Sequence, residues 1–208
     1  MNRQKIKSDA KEMIKGNKWT IWQPYLIIML IGFVIGIVSG VSGYNADEVN
    51  PSLELLSSLL SIAVYPLSFG AMVYVLKFVR KEEYDLKILF ESYKKFWPII
   101  ALYILVSLFT TLWTLLLIIP GMIAALSYTM SFLIMADGED NPMECIKKSK
   151  AMMKGYKWDY FKFQLSFIGW YLLAIPTFGL IFIYVVPYVT VAETLYYEDL
   201  RKINSPAN

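Results

Sequence analysis

Residues 21–41 read IWQPYLIIMLIGFVIGIVSGV, an uncharged run that decides the fold class. A run of about 18 or more apolar residues is typical of a membrane-spanning helix, which needs about 20 residues to cross the hydrocarbon core. A second run, at residues 97–119, reads WPIIALYILVSLFTTLWTLLLII. Both runs are too long and too continuous for the core helices of a soluble protein, so the sequence predicts an integral membrane protein.

The composition agrees with this prediction. Of the 208 residues, 57% are hydrophobic and 18% are charged, whereas soluble domains have about 45–50% and about 25%. The apolar residues form three blocks, and each block is long enough for two crossings. Each block is divided once: the first by a polar loop at residues 43–51, the second at Pro120-Gly121 and the third at residues 176–179. Proline and glycine favour turns at such breaks.

We therefore predict an all-α membrane protein with six transmembrane helices in three hairpins. The whole chain, residues 1–208, is expected to form one membrane domain. The predicted spans are residues 21–41, 53–78, 97–119, 122–136, 161–175 and 180–197.

The basic residues predict the orientation. Six of the 20 Lys and Arg residues precede the first span, and six lie at the end of the second span or between the second and third. Six more lie between the fourth and fifth spans or at the start of the fifth, and two follow the sixth. The three loops on the other side have none. Because Lys and Arg concentrate in cytoplasmic loops, we expect both termini to be cytoplasmic.

Short basic segments before the spans predict amphipathic linker helices on the cytoplasmic side. Residues 14–19 read IKGNKW and residues 153–158 read MKGYKW, and residues 86–97 are a weaker version. These segments indicate a unit of one basic helix and one hairpin, used three times. The alternative is that any junction between a basic and an apolar segment converges on Lys and Trp.

One linker helix has a recognisable start at residues 141–144, which read NPME. Asparagine is a good cap, and proline suits the first turn. The helix is expected to lie in the membrane interface or to be a solvated linker, and both interpretations stay open.

Several short pieces carry a family resemblance. These pieces are IPG at 119–121, LSY at 126–128, AD at 136–137, KS at 148–149, MKGYKW at 153–158, LSFIGW at 165–170, PY at 187–188 and YYE at 196–198. Together with residues 70–96, they resemble an uncharacterised family of bacterial integral membrane proteins, domain of unknown function 975. The resemblance implies a multispanning plasma-membrane protein, mostly from Gram-positive bacteria, and it implies no established reaction.

The residues that most enzymes need are missing from the sequence. There is no histidine, and Cys145 is the only cysteine. No zinc-protease, phosphate-loop or serine-hydrolase motif is present. We therefore predict no enzyme, no catalytic residue, no metal site and no cofactor. The basic residues lie beside membrane spans without a recognition motif, which predicts contacts with anionic lipids and no nucleic-acid partner.

The first span carries Gly32, Gly36 and Gly40 on one helix face. Small residues at this spacing let two helix backbones approach closely. We expect this face to pack against another span of the same chain or to form the seam of a homodimer.

The third hairpin contains the candidate binding or ion-pair site. Ionisable residues inside a membrane are costly and are often functional. If the last turn is centred near residues 178 and 179, Glu193 lies at the depth of Gln164 and close to Lys162. The three side chains are then expected to meet. The alternative is that Glu193 extends towards the interface.

The function expected from these features is the handling, export or exclusion of a hydrophobic or amphipathic molecule without catalysis. The alternative is a structural or assembly role in a larger membrane complex. A polar cavity around Glu193 would favour the first role, and dry packing with an open apolar face would favour the second.

Overall fold

The computed structural model describes residues 1–42 and 51–204 and contains helices and turns but no strand in these ranges. The helices are α1 (Arg3–Ile14), α2 (Lys18–Ser42), α3 (Pro51–Arg80), α4 (Lys87–Glu91), α5 (Phe96–Leu116), α6 (Ile118–Tyr128), α7 (Ser131–Ala136), α8 (Pro142–Met152), α9 (Lys157–Leu165), α10 (Ile168–Leu172) and α11 (Phe182–Asn204). A 3₁₀ helix, Ser92–Lys95, joins α4 to α5. The all-α prediction is confirmed.

Within residues 1–42 and 51–204, four helical stretches are long and apolar enough to cross a membrane. They are Lys18–Gly40, Pro51–Arg80, Lys87–Leu116 and Ile118–Ala136. These stretches contain most of the first four predicted spans. The polar loop predicted between the first two spans falls at residues 43–50, outside the described part of the chain.

The third predicted hairpin differs from the other two. Its first predicted span, residues 161–175, is divided between α9, α10 and a run of turns. Its second, residues 180–197, lies almost wholly in α11, which is not among the four candidate spans. The six-crossing layout therefore stays a prediction.

The turn between α5 and α6 falls slightly earlier than predicted. The chain is extended at Leu117, with φ −162° and ψ 143°, and Pro120 lies in the first turn of α6. Proline is favoured there because the first-turn N–H groups have no helical partner. Gly121 allows the close approach of the two helices, since an added Cβ would lie 2.2 Å from Thr114 Oγ1.

The two similar junctions have the same backbone shape. Gly16 and Gly155 have positive φ angles of 86° and 87°. Just before them, the buried Ile14 and Met153 each accept a backbone hydrogen bond of 3.1 Å from the residue three positions later. In both places a basic helix ends and the next helix begins within a few residues. The repeated unit predicted from the sequence thus has matching local geometry in two of its three copies.

Most buried residues lie toward one end of the helices, which we call the basic end because Lys18, Arg80 and Lys95 lie there. The Tyr74 hydroxyl donates to the Thr20 carbonyl at 3.2 Å, so the basic ends of α2 and α3 lie level.

Two amphipathic helices complete this core. Helix α1 packs on α11 and buries Ile6, Ala10 and Ile14. Helix α8 packs on α5 and α7, and its start is confirmed, because Asn141 Oδ1 accepts the Met143 and Glu144 backbone N–H groups at 3.0 and 3.3 Å.

The opposite halves of the long helices expose large apolar side chains, among them Leu30, Phe33, Leu115 and Ile119. An apolar surface of this kind suits contact with lipid.

Candidate functional site

The structure brings two of the three predicted site residues together. Gln164 in α9 donates from Nε2 to Glu193 Oε1 in α11 at 2.6 Å. The same amide nitrogen lies 2.6 Å from the Tyr160 hydroxyl oxygen, which accepts from it. Tyr160 and Gln164 are four residues apart and therefore share one face of α9. We call Tyr160, Gln164 and Glu193 the Glu193 cluster.

Lys162 lies elsewhere. Its side chain is exposed, and its ammonium nitrogen lies 5.5 Å from the centre of the Trp158 ring. Lys162 and Gln164 are only two residues apart on α9, and residues at that spacing point to different sides of a helix. The helix that presents the amide to Glu193 therefore turns the lysine away from it.

The Glu193 carboxyl is partly buried and has no basic partner. All 20 Lys and Arg residues lie in the described part of the chain, and none forms an ion pair with Glu193. Its neighbours on α11, Ala192 and Thr194, are buried. One turn earlier on α11, the Thr190 hydroxyl lies 3.5 Å from the Tyr25 hydroxyl of α2. A partly buried carboxyl without a basic partner can take up a proton or a cationic group.

The glycine face of α2 is open. An added Cβ at Gly32, Gly36 or Gly40 would meet no described atom of the chain within 4 Å. Packing of this face against another span of the same chain therefore finds no support in the described residues. The homodimer seam stays a prediction.

A second polar cluster, which the sequence analysis missed, joins three elements at the basic end. Arg80 donates from Nη1 to Asp137 at 2.7 Å and from Nε to Glu198 at 2.8 Å. Asp137 also accepts from the Tyr197 hydroxyl at 3.0 Å and forms an ion pair with Arg201, whose Nε lies 3.0 Å away. Arg80, Asp137 and Glu198 each expose less than a fifth of the side chain. We call these five residues the Arg80 cluster.

The sequence contained one signal for this cluster. The pieces AD at 136–137 and YYE at 196–198 both belong to the family resemblance, and in the structure they meet at Arg80. Sequence spacing alone does not pair them, because α8, α9 and α10 separate the two pieces. Each charge is compensated inside the cluster, which favours a structural role that ties α3 and α11 to the end of α7.

An open cavity of about 510 Å³ lies beside the Arg80 cluster. Asp137, Tyr197, Arg201, Glu139 and Lys148 are among its lining residues. The Lys148 ammonium and the Asn141 backbone N–H hold the pKa of Glu139 below its usual range. The Glu139 carboxyl in turn raises the pKa of Lys148. Acidic and basic groups therefore line the cavity together and pair with one another, and no single charge is left to select a ligand.

The described residues form an all-α protein in which four helical stretches are long and apolar enough to cross a membrane, which indicates the multispanning membrane class. Its sequence matches the model of a family described as a protein of unknown function, DUF975, over residues 1–131 and 114–204. The chain belongs to this family. A search of curated proteins and a search of solved structures each gave no match.

Proposed function

We propose that the chain is a non-enzymatic protein of a bacterial plasma membrane, and that it binds an amphipathic molecule through Glu193. The observation that carries this proposal is the partly buried Glu193 carboxyl, which is oriented by Gln164 and has no basic partner. The carboxyl would take the cationic part of the ligand, and the apolar hairpins would contact its hydrocarbon part. Such a site would serve the transfer or exclusion of amphipathic molecules.

The proposed orientation places the basic end and both termini in the cytoplasm. All 20 Lys and Arg residues fit this side. Trp19, Trp97 and Trp158 support it, because each lies at a junction between a basic segment and an apolar one and is largely exposed. Exposed tryptophans at such positions suit the headgroup layer. Six crossings satisfy the charge pattern, and so do four crossings with a third hairpin that returns to the same side.

The binding of a lipophilic cation tests the proposed site. We expect the purified protein in mild detergent to bind radiolabelled tetraphenylphosphonium, and Glu193→Gln to weaken this binding about tenfold, which equals ~1.4 kcal/mol. The amide keeps the shape and can still bond to Gln164, so the fold should be preserved. Glu91→Gln is a matched control, because Glu91 is exposed and far along the chain from the cluster.

Two results would reject the site: equal binding by wild type and Glu193→Gln, or no binding by the wild type. A loss of helical circular dichroism in Glu193→Gln with retained binding would instead assign Glu193 a structural role and reject the proposal as well.

The open glycine face of α2 favours a second candidate function, assembly with another copy or another membrane protein. Gly36→Leu should abolish cross-linked dimers in membranes, since a large side chain holds two helix backbones apart. Val34 is exposed on a different side of α2, and Val34→Phe should leave the dimers intact. A monomeric wild type, or dimers that persist in Gly36→Leu, would refute the assembly role of this face.

A further inference from the structure

We propose that the third hairpin does not cross the membrane but enters and leaves it from the basic end, with its apolar tip near the middle of the bilayer. The path of this hairpin is independent of what Glu193 binds. It rests on the contacts between the third hairpin and the basic N-terminal segment, on the length of chain between these contacts, and on the chemistry of the tip.

Two sets of contacts anchor the hairpin to the N-terminal segment. On the entering side, Lys7 Nζ in α1 donates to Ser166 Oγ at 3.0 Å and lies 4.7 Å from the centre of the Phe167 ring. On the returning side, Trp22 Nε1, near the start of α2, donates to the Ile183 carbonyl at 2.7 Å. These contacts place both ends of the hairpin beside residues at the basic end.

A further cation contact strengthens the returning anchor. Lys18, the first residue of α2, has its ammonium nitrogen 4.9 Å from the centre of the Tyr184 ring. In a six-crossing layout, Tyr184 would lie near the outer end of the sixth span, whereas Lys18 lies at the cytoplasmic end of the first. The two residues would then be separated by most of the ~30 Å hydrocarbon core.

The chain between the anchors is too short for two crossings. Residues 167–182 number 16, which allows eight residues in each direction. Eight helical residues rise about 12 Å, and even fully extended they reach only about 28 Å. A helical crossing needs about 20 residues for a hydrocarbon core of about 30 Å. The segment therefore reaches roughly the middle of the bilayer and returns.

The contact of α1 with α11 also indicates that the third hairpin does not cross the membrane. Lys11 Nζ lies 5.7 Å from the centre of the Tyr188 ring, and Tyr188 is at the middle of the predicted sixth span. Helix α1 has six ionisable side chains among its 12 residues. A charged side chain at the bilayer centre costs about 2.5–3.5 kcal/mol by insertion scales. Because α1 and α11 are packed together, it is more favourable for both to lie near the membrane surface than for the charged α1 to enter the hydrocarbon core.

The tip suits contact with acyl chains. No residue from 167 to 182 is charged, and Leu172, Ile175, Phe178 and Leu180 are exposed, Phe178 to 97%. The turns satisfy much of their own backbone: Gly179 N–H donates to the Ala174 carbonyl at 2.8 Å, and other N–H groups along the turns donate to carbonyls within the segment. Internal bonding of this kind is what irregular backbone needs at membrane depth.

Cysteine labelling in intact cells tests the path. With a membrane-impermeant maleimide, Asn45→Cys, in the predicted outer loop, should be labelled, and Thr177→Cys, at the tip, should not. The native Cys145 is buried and, in the proposed orientation, lies on the cytoplasmic side. The unsubstituted protein should therefore not be labelled and serves as the negative control. Labelling of Thr177→Cys from outside would overturn the inference.

If Thr177→Cys is not labelled, cross-linking of two cysteines provides a second test of the path. In membranes, a short bis-maleimide should join Lys18→Cys to Tyr184→Cys, as detected by mass spectrometry of the digested protein. Lys18→Cys combined with Leu115→Cys, at the far end of α5, should give no cross-link. The absence of the Lys18–Tyr184 cross-link would also overturn the inference, because the returning anchor would then be missing.

Discussion

At the scale of single residues, Asp137 connects three elements at the basic end. It follows α7 directly, accepts hydrogen bonds from Arg80 of α3 and Tyr197 of α11, and forms an ion pair with Arg201 of α11. Removing one member of such a cluster leaves the remaining charges uncompensated in a poorly solvated place. The cluster therefore holds the basic ends of three elements in a fixed arrangement.

Asp137→Asn should lower the stability by about 2–3 kcal/mol, because Arg80 and Arg201 lose a charged acceptor. For a chain of this size, that loss corresponds to a fall in Tm of roughly 5–10 °C in detergent, measured by circular dichroism. Asp140→Asn is the control, since Asp140 pairs with Lys95 on the surface with 63% of its side chain exposed. A Tm for Asp137→Asn equal to that of the control would show that the cluster is not stabilising.

Part of the Glu193 cluster can be predicted from the sequence by counting residues outward from a turn to estimate the membrane depth of each side chain. Counting outward from a turn at residues 178–179 placed Gln164 beside Glu193, and the side chains are in contact. The same counting placed Lys162 there too, but counting depth ignores the direction of a side chain around its helix. Tyr160 was missed for the same reason, although it lies one turn from Gln164 on the same face.

At the scale of helices, the contact of α5 with α6 depends on one glycine. A Cβ at Gly121 would lie 2.7 Å from Thr114 Cα as well as 2.2 Å from its Oγ1, so the two helix backbones would have to separate. This close approach explains why the turn at Leu117 can be so short.

Gly121→Ala should therefore destabilise the protein by about 1–3 kcal/mol through overpacking, although alanine is the better helix former. Gly169→Ala in α10 is the matched control, because a Cβ there meets no described atom within 4 Å. Thermal unfolding in detergent should give a lower Tm for Gly121→Ala alone. A Tm at or above that of the wild type would mean that α5 and α6 do not pack as described.

The length of an apolar run predicts a span well where charged residues or a polar loop mark the ends of the run. Residues 21–41 fall inside α2 as expected, whereas residues 97–119 run through α5 and past the break at Leu117 into α6. The third hairpin was harder, since a long uncharged segment suits a full crossing and a returning hairpin equally. Its depth depends on the docking of α1, a tertiary contact that no local pattern in the sequence contains.

At the scale of the whole molecule, the two ends differ sharply in chemistry. The basic end holds α1, α4, α8, both polar clusters and most of the buried core. The opposite end consists of apolar helix halves with exposed leucine, isoleucine and phenylalanine side chains. This polarity is what allows one orientation in a membrane to be favoured over the reverse.

Fusions to a reporter that is active only outside the cytoplasm test whether the basic end of the protein faces the cytoplasm. Fusions after residues 47 and 120 should be active, because these positions follow segments that have no Lys or Arg. Fusions after residues 85, 145 and 208 should be inactive, because they follow the basic segments that are expected to stay inside. Activity of the fusion after residue 145 would contradict this orientation.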